Sequence, residues 1–204
     1  MEPPSSSGPD TSELRSEVQK LYGRVAQEPG GEFHFHRGAE YAVTALGYDR
    51  ADLARIPESS LRSFAGAANP HVIDPLRPGE VVLDVGCGAG TDLLLAAQKV
   101  GPGGRAIGVD LTAAMLEQCR ASVATAGVKN VELRSGDAEH IPVGDGEVDA
   151  VISNGVLNMV PDKERAFREI FRVLRPGGRL LLGDIAVTES TAEEMRCNVA
   201  LWTG

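Results

Sequence analysis

The ten residues from Val81 to Gly90, Val-Val-Leu-Asp-Val-Gly-Cys-Gly-Ala-Gly, constrain this chain more than any other segment. A short apolar run leads through Asp84 into Gly86-x-Gly88-x-Gly90. Glycines at alternate positions suit a turn whose backbone angles other residues disfavour. In an open parallel sheet, a buried strand followed by such a turn is where a ligand meets bare backbone, at the strand's carboxyl end. The segment predicts an α/β fold with a nucleoside-bearing cofactor at that turn.

The residues that follow keep a regular alternation. Val81–Val85 reads as a strand and Thr91–Val100 as a helix; Gly101–Gly104 turns into a second strand, Arg105–Val109. Thr112 is placed to cap a helix reaching about Ala126. Val131–Arg134 and Val148–Ser153 read as the third and fourth strands. Pro161 and Asp162 open a helix to Leu174, Arg175-Pro176-Gly177-Gly178 forms a turn, and Arg179–Ala186 is a fifth strand, with a last helix from near Thr191. Strands alternating with helices give a Rossmann-like, doubly wound parallel sheet covered on both faces. The 24 glycines exceed the roughly 14 expected at an average share of about 7%, as many strand-to-helix turns require.

The first third is different. Met1–Thr11 is polar and Pro/Ser-rich, the composition of a disordered tail. Leu14, Val18, Leu21, Tyr22 and Val25 recur at helical spacing. A second helix is expected over Ala39–Leu46, then short helical pieces with Asp49 and Ser59 as caps and Pro57 as a break. Residues 12–78 thus form a helical cap and 79–204 the cofactor-binding core.

A formal net charge of −9 and the lack of a basic stretch argue against a nucleic-acid partner. Three widely spaced cysteines, Cys87, Cys119 and Cys197, suit a reducing compartment better than a disulfide framework. With no apolar segment of membrane length and no leader pattern, a cytoplasmic protein is expected.

Candidate ligand residues fall at successive strand ends. Asp110, about twenty residues past the glycines, is placed to accept from ribose hydroxyls. Asp137 follows the third strand, where a carboxylate can accept from an adenine amine, and Asn154 ends the fourth. Any one of these could be an ordinary cap or turn residue; their joint placement is the signal. Dinucleotide sites favour Gly-x-Gly-x-x-Gly so that a helix N-terminus meets a pyrophosphate. Here the spacing differs and Asp84 would repel a pyrophosphate, whereas it suits an ammonium or sulfonium. S-adenosylmethionine carries both and no phosphate, so a methyl donor is favoured over NAD.

From about Leu21 to Gly204 the chain resembles the class I S-adenosylmethionine-dependent methyltransferases, and among them the arsenite methyltransferases. The resemblance is carried by Tyr22-Gly23-Arg24-Val25, Leu46-Gly47-Tyr48, Val82–Gly90, Ile107–Thr112, Ile152-Ser153-Asn154 with Asn158, Pro161-Asp162-Lys163 and Phe171–Gly178. It implies that Gly86, Cys87, Gly88 and Gly90 hold the methionyl part and ribose, and that Asp84 orients the methionyl ammonium. Asp110 would bind the ribose, Leu111 and Met115 would pack on adenine, Asp137 and Ala138 would address its edge, and Asn154 would face the methionyl end. Tyr22 and Gly155 would lie toward a small-molecule methyl acceptor.

The chain departs from the arsenite enzymes where they hold arsenic on thiolates, a soft ligand set for a soft centre. Gly155 stands where one such cysteine follows Ser-Asn, and Phe33-His34-Phe35-His36 offers no cysteine in the early segment. The segment preceding a third cysteine matches Leu201-Trp202-Thr203-Gly204, at the end of this sequence. His34 and His36 share one face of an extended segment. They could contact substrate, act as a base or, with His71, ligate a metal, but the favoured reading is that they flank packed Phe33 and Phe35; no resident metal is expected. The core is expected to be truncated after the fifth strand, leaving an apolar edge open to self-association. A quinone-type carbon methyltransferase and a non-catalytic cofactor-binding protein are the alternative readings.

Overall fold

A computed structural model describes residues 11–186. The tail over residues 1–10, the helix expected from Thr191, Cys197 and the 201–204 segment lie outside the described residues. Five parallel strands, β1 (Val81–Val85), β2 (Arg105–Asp110), β3 (Val131–Ser135), β4 (Val148–Asn154) and β5 (Leu174–Gly183), lie in the order β3-β2-β1-β4-β5. Helices α5 (Thr91–Val100), α6 (Ala113–Ala126) and α7 (Lys163–Val173) connect them. The chain reverses its winding between β1 and β4, the switch point where ligands bind in such sheets.

Strand alternation divides the core. Leu83, Val85, Ile107, Val109 and Val151 pack on the α7 side with Ala166, Ile170 and Val173. Val82, Ala106, Ala150 and Ile152 pack on the other with Leu93, Ala96, Ala97 and Val100 of α5 and Leu116 and Cys119 of α6. Helix α5 is apolar nearly all round because a second layer covers it. Ala42, Tyr48, Leu53, Ile56 and Phe64 pack on Leu94 and Leu95. They belong to the N-terminal region, built from α1 (Thr11–Gln27), α2 (Ala39–Thr44), α3 (Arg50–Leu53) and α4 (Glu58–Arg62). Asp49 caps α3, its Oδ1 accepting from Ala51 N at 2.6 Å. Ser59 is no cap; Pro57 occupies that position of α4 and Ser59 lies inside the helix, its hydroxyl 3.1 Å from that of Ser122. No helix among the described residues is long and apolar enough to cross a membrane.

The fifth strand differs from its sequence reading. Leu174 already pairs with Val148, the register then shifts, and pairing resumes at Arg179 with Ala150. The expected turn is therefore a bulge within a strand that ends at Gly183. Asp149 anchors it, accepting from Arg175 at 2.7 Å on one oxygen and from Val81 N at 2.6 Å on the other.

Candidate cofactor site

The turn after β1 is built by glycine. Gly86, Gly88 and Gly90 all have positive φ, and Gly86 N and Cys87 N both donate to Val109 O, tying the turn to β2. Their tasks differ. A Cβ on Gly86 would stand 2.3 Å from Val156 Cγ2, so β1 and the segment after β4 meet there. Nothing lies within 4 Å of where a Cβ on Gly88 would stand, and Gly88 borders an open pocket. Gly90 does not border it: this is a correction to the sequence reading. It begins α5 with φ 96°, and a Cβ there would reach 2.6 Å from Cys119 Sγ. Its role is close packing of turn against helix.

The pocket runs across the carboxyl ends of β1, β2 and β4. Asp84, Gly86, Cys87, Gly88, Asp110, Leu111, Met115, Asp137, Ala138, Asn154, Gly155 and Tyr22 all border it. His34 and His36 do not. Both are exposed, while Phe33 and Phe35 turn inward toward Val25, Ala89 and Met115. They flank packed Phe33 and Phe35, the reading the sequence favoured, and the substrate role also considered for them is corrected: the apolar neighbours, not the histidines, meet the core. Arg37 sits 4.1 Å from the Phe33 ring centre, a cation over an aromatic face.

Five carboxylates border this pocket (Asp84, Asp92, Asp110, Asp137 and Glu139) against one guanidinium, Arg15. Asp84 is the most deeply placed. It is buried, and burial, followed by the charge of Asp92, pushes its carboxyl well above the usual range. Its Oδ2 is sealed from solvent and meets no hydrogen-bond donor among the described residues. A buried acceptor without a partner costs free energy unless a ligand satisfies it. Asp110 is spatially fixed: Oδ2 accepts from Gly88 N and Oδ1 from Thr112 N, each at 2.8 Å. Burial raises its carboxyl, opposed by these amides.

Asn154 borders the pocket, yet its amide is engaged within the protein. Oδ1 accepts from Ala67 N at 2.8 Å and Ala68 N at 3.0 Å. Nδ2 donates to Ala68 O at 2.8 Å, Tyr48 Oη at 3.0 Å and Asp92 Oδ2 at 3.0 Å. It therefore seats the loop over residues 64–68 on the tip of β4. A Cβ on Gly66 would stand 2.3 Å from Asn154 Nδ2, which fixes glycine there.

Sequence reasoning named Tyr22 but missed the rest of the pocket's roof and part of its floor. Arg15, Val18 and Tyr22 of α1 cover one side. Arg15 hydrogen-bonds Glu139 and lies 3.7 Å from Asp137, and Gln19 Nε2 donates to Leu111 O at 3.1 Å. Tyr22 is half-buried, and its phenol is pushed up to about 12 by burial and then by Asp110 and Asp184. Asp92, directly after the glycine turn, adds a second acid beside Asp84; its adjacency to the motif was the available signal. Phe64, Ala65, Val156 and Met159 make the end next to Gly155 apolar.

The Methyltransferase domain family profile matches residues 76–203. An arsenite methyltransferase of Halobacterium salinarum is 43% identical over 159 residues, 78% of this chain and 40% of that protein. A demethylmenaquinone methyltransferase of Symbiobacterium thermophilum is 42% identical over 106 residues, 52% of this chain and 42% of that one. The crystal structure of an arsenic(III) S-adenosylmethionine methyltransferase from Chlamydomonas reinhardtii superposes with a TM-score of 0.65 at 34% identity, covering 76% of this chain and 56% of that chain. The chain thus spans about half the length, or less, of these relatives.

Proposed function

Since the chain belongs to the methyltransferase domain family, we propose that it transfers the methyl group of S-adenosylmethionine to a small molecule with an apolar body. The observation that carries this reading is the orphaned, buried Oδ2 of Asp84 at the tip of β1, in a pocket bordered by five acids and one arginine. That electrostatic setting suits a cationic, phosphate-free nucleoside and repels a pyrophosphate. The residues fit the group: Asp84 and Asp92 for the methionyl ammonium, Gly88 for close backbone approach, Asp110 for the ribose, and Asp137 with Ala138 for the adenine edge.

When bound, the sulfonium supplies an already activated methyl group. The protein's share is alignment and the exclusion of water. Helix α1 covers the pocket through Val18 and Tyr22, and Asn154 fixes the loop bearing Phe64, Ala65 and Gly66 at the acceptor end. The high phenol of Tyr22 makes it a hydrogen-bond donor at neutral pH and not a base.

Two relatives carry names of arsenic enzymes, but the described residues do not favour thiolate capture here. Cys87 and Cys119 are both buried, and hydrogen bonding to Cys119, followed by burial, raises the Cys87 thiol, so Cys87 is not poised as a thiolate. Gly155 brings no sulfur to the acceptor end. The apolar wall of Phe64, Ala65, Val156 and Met159 supports a carbon or oxygen acceptor, including a quinol. Calorimetry tests the cofactor: S-adenosylmethionine binds and NAD does not, and the reverse would overturn the reading. A screen of quinols, phenols and trivalent arsenic with labelled methyl donor tests the acceptor. Arsenic turnover with quinols and phenols inert would refute the apolar assignment.

A further inference from the structure

Behind the pocket lies a histidine that nothing above uses. His71 belongs to a single 3-10 turn, Pro70–Val72, which packs beside β4 and β5. Its ring is buried, with Nε2 3.2 Å from Asp92 Oδ1, within ion-pairing reach but outside hydrogen-bond alignment. Nδ1 likewise has no hydrogen-bond partner among the described residues. A neutral imidazole buried with both nitrogens unsatisfied forfeits two hydrogen bonds.

Asp92 is held from three sides. Tyr48 Oη donates to Oδ1 at 2.7 Å, Asn154 Nδ2 to Oδ2 at 3.0 Å, and His71 stands behind. Asp84 is its acidic neighbour, and the charge of Asp92 adds to the cost of ionising Asp84. Tyr48 is no source of charge, since burial and then Asp92 keep its phenol protonated. The one guanidinium bordering the pocket, Arg15, is committed to Glu139 and Asp137. His71, 3.2 Å from Asp92, is therefore the nearest side chain able to carry positive charge beside the Asp84–Asp92 pair; Lys99 at the far end of α5 also acts on Asp92 but makes no ion pair with it.

We propose that His71 is the internal counter-ion of this acidic pair, protonated while the pocket is free and neutral once the cofactor's cation replaces it, so that cofactor binding expels a proton. The inference rests on the cofactor reading given above. His71 is a positioning residue: it acts through Asp92 and does not touch the cofactor. The sign follows from linkage. A bound cation disfavours imidazolium, so affinity rises with pH across the histidine range, by up to about tenfold per pH unit for one proton released.

The experiment is titration calorimetry of the full chain with S-adenosylmethionine between about pH 5.5 and 8, where histidine titrates, in two buffers of unlike ionisation enthalpy. The wild type releases a proton, seen as a binding heat that differs between buffers, and its Kd falls as pH rises. In His71→Gln both effects vanish while binding persists. Asp84→Asn separates the other candidate: if proton release disappears in Asp84→Asn and survives in His71→Gln, the proton comes from Asp84 and the proposal fails. Should His71→Gln not fold, the His71 Cε1 proton resonance of the wild type serves instead. Its titration midpoint moves to lower pH on adding S-adenosylmethionine, and an unmoved midpoint refutes the proposal. Binding with no proton linkage overturns this inference alone, whereas no binding at any pH overturns the cofactor reading as well.

Discussion

Gly90→Ala isolates the strain that the glycine turn avoids. Gly90 has φ 96°, and a Cβ there would stand 2.6 Å from Cys119 Sγ, with the Cys119 Cβ at 3.7 Å. A non-glycine residue in this backbone region costs on the order of 1–3 kcal/mol. Cys119 is fully buried among apolar neighbours, so its sulfur cannot swing away freely, and overpacking adds about 1–3 kcal/mol. The expected loss is about 2–6 kcal/mol, or roughly 4–24 °C in Tm at about 2–4 °C per kcal/mol for a chain of this size. Urea and thermal unfolding measure it, and Cys119→Ala separates the two causes. Removing the sulfur relieves the clash but not the backbone cost, so Gly90→Ala in the Cys119→Ala background costs only about 1–3 kcal/mol. The same loss in both backgrounds would refute the steric part of the reasoning. A loss below about 1 kcal/mol in the wild-type background would refute all of it.

Three other substitutions probe the site. Asp110→Ala weakens S-adenosylmethionine binding by about 1–3 kcal/mol, because ribose hydroxyls and two backbone amides lose one acceptor; calorimetry showing unchanged affinity would remove Asp110 from the ribose site. Asp84→Asn stabilises the cofactor-free protein at neutral pH while weakening cofactor binding. The sign follows from its raised carboxyl: the folded state holds that proton more tightly than the unfolded chain, so the wild type loses stability as pH climbs above the unfolded value near 3.9. The melting difference between Asp84→Asn and wild type should grow from acid toward neutral pH, and a difference independent of pH would sink the argument. Asn154→Ala frees the amides of Ala67 and Ala68 and leaves Asp92 with one donor fewer. Backbone hydrogen exchange at 67 and 68 should accelerate by about tenfold or more for each roughly 1.4 kcal/mol lost, and unaltered protection there would show that Asn154 does not hold the loop.

What could be read from the sequence was punctuation and period. The bounds of β1 and α5 follow from the glycine turn and Gly101, which punctuate the two apolar segments. The strand-end acids were visible because α/β sheets put ligands at that edge whatever the side chains do elsewhere. Three kinds of feature were not visible. The start of β5 depends on a register shift against β4, a property of pairing that no local pattern records. Gly90 was assigned to the ligand because a motif does not say which of its glycines faces a helix and which faces the pocket. Asn154 was read as facing the cofactor; its partners, Ala67, Ala68, Tyr48 and Asp92, come from three distant segments, and only the folded chain brings them to one amide. The outward histidines were legible, because alternation along an extended segment sends Phe33 and Phe35 inward and their neighbours out.

The strand order has a consequence for biosynthesis. β1 is flanked by β2 and β4, so the first three strands leave the ribosome with one long side of β1 bare. That side is closed only when residues 148–154 emerge and slot in next to it, and the same residues bring Asn154, Gly155 and Val156 to the rim. Until that moment the rim formed by Asn154, Gly155 and Val156 is missing from the pocket. Any pause in translation ahead of residue 148 therefore prolongs the interval in which an apolar strand lies open to chaperones or to aggregation.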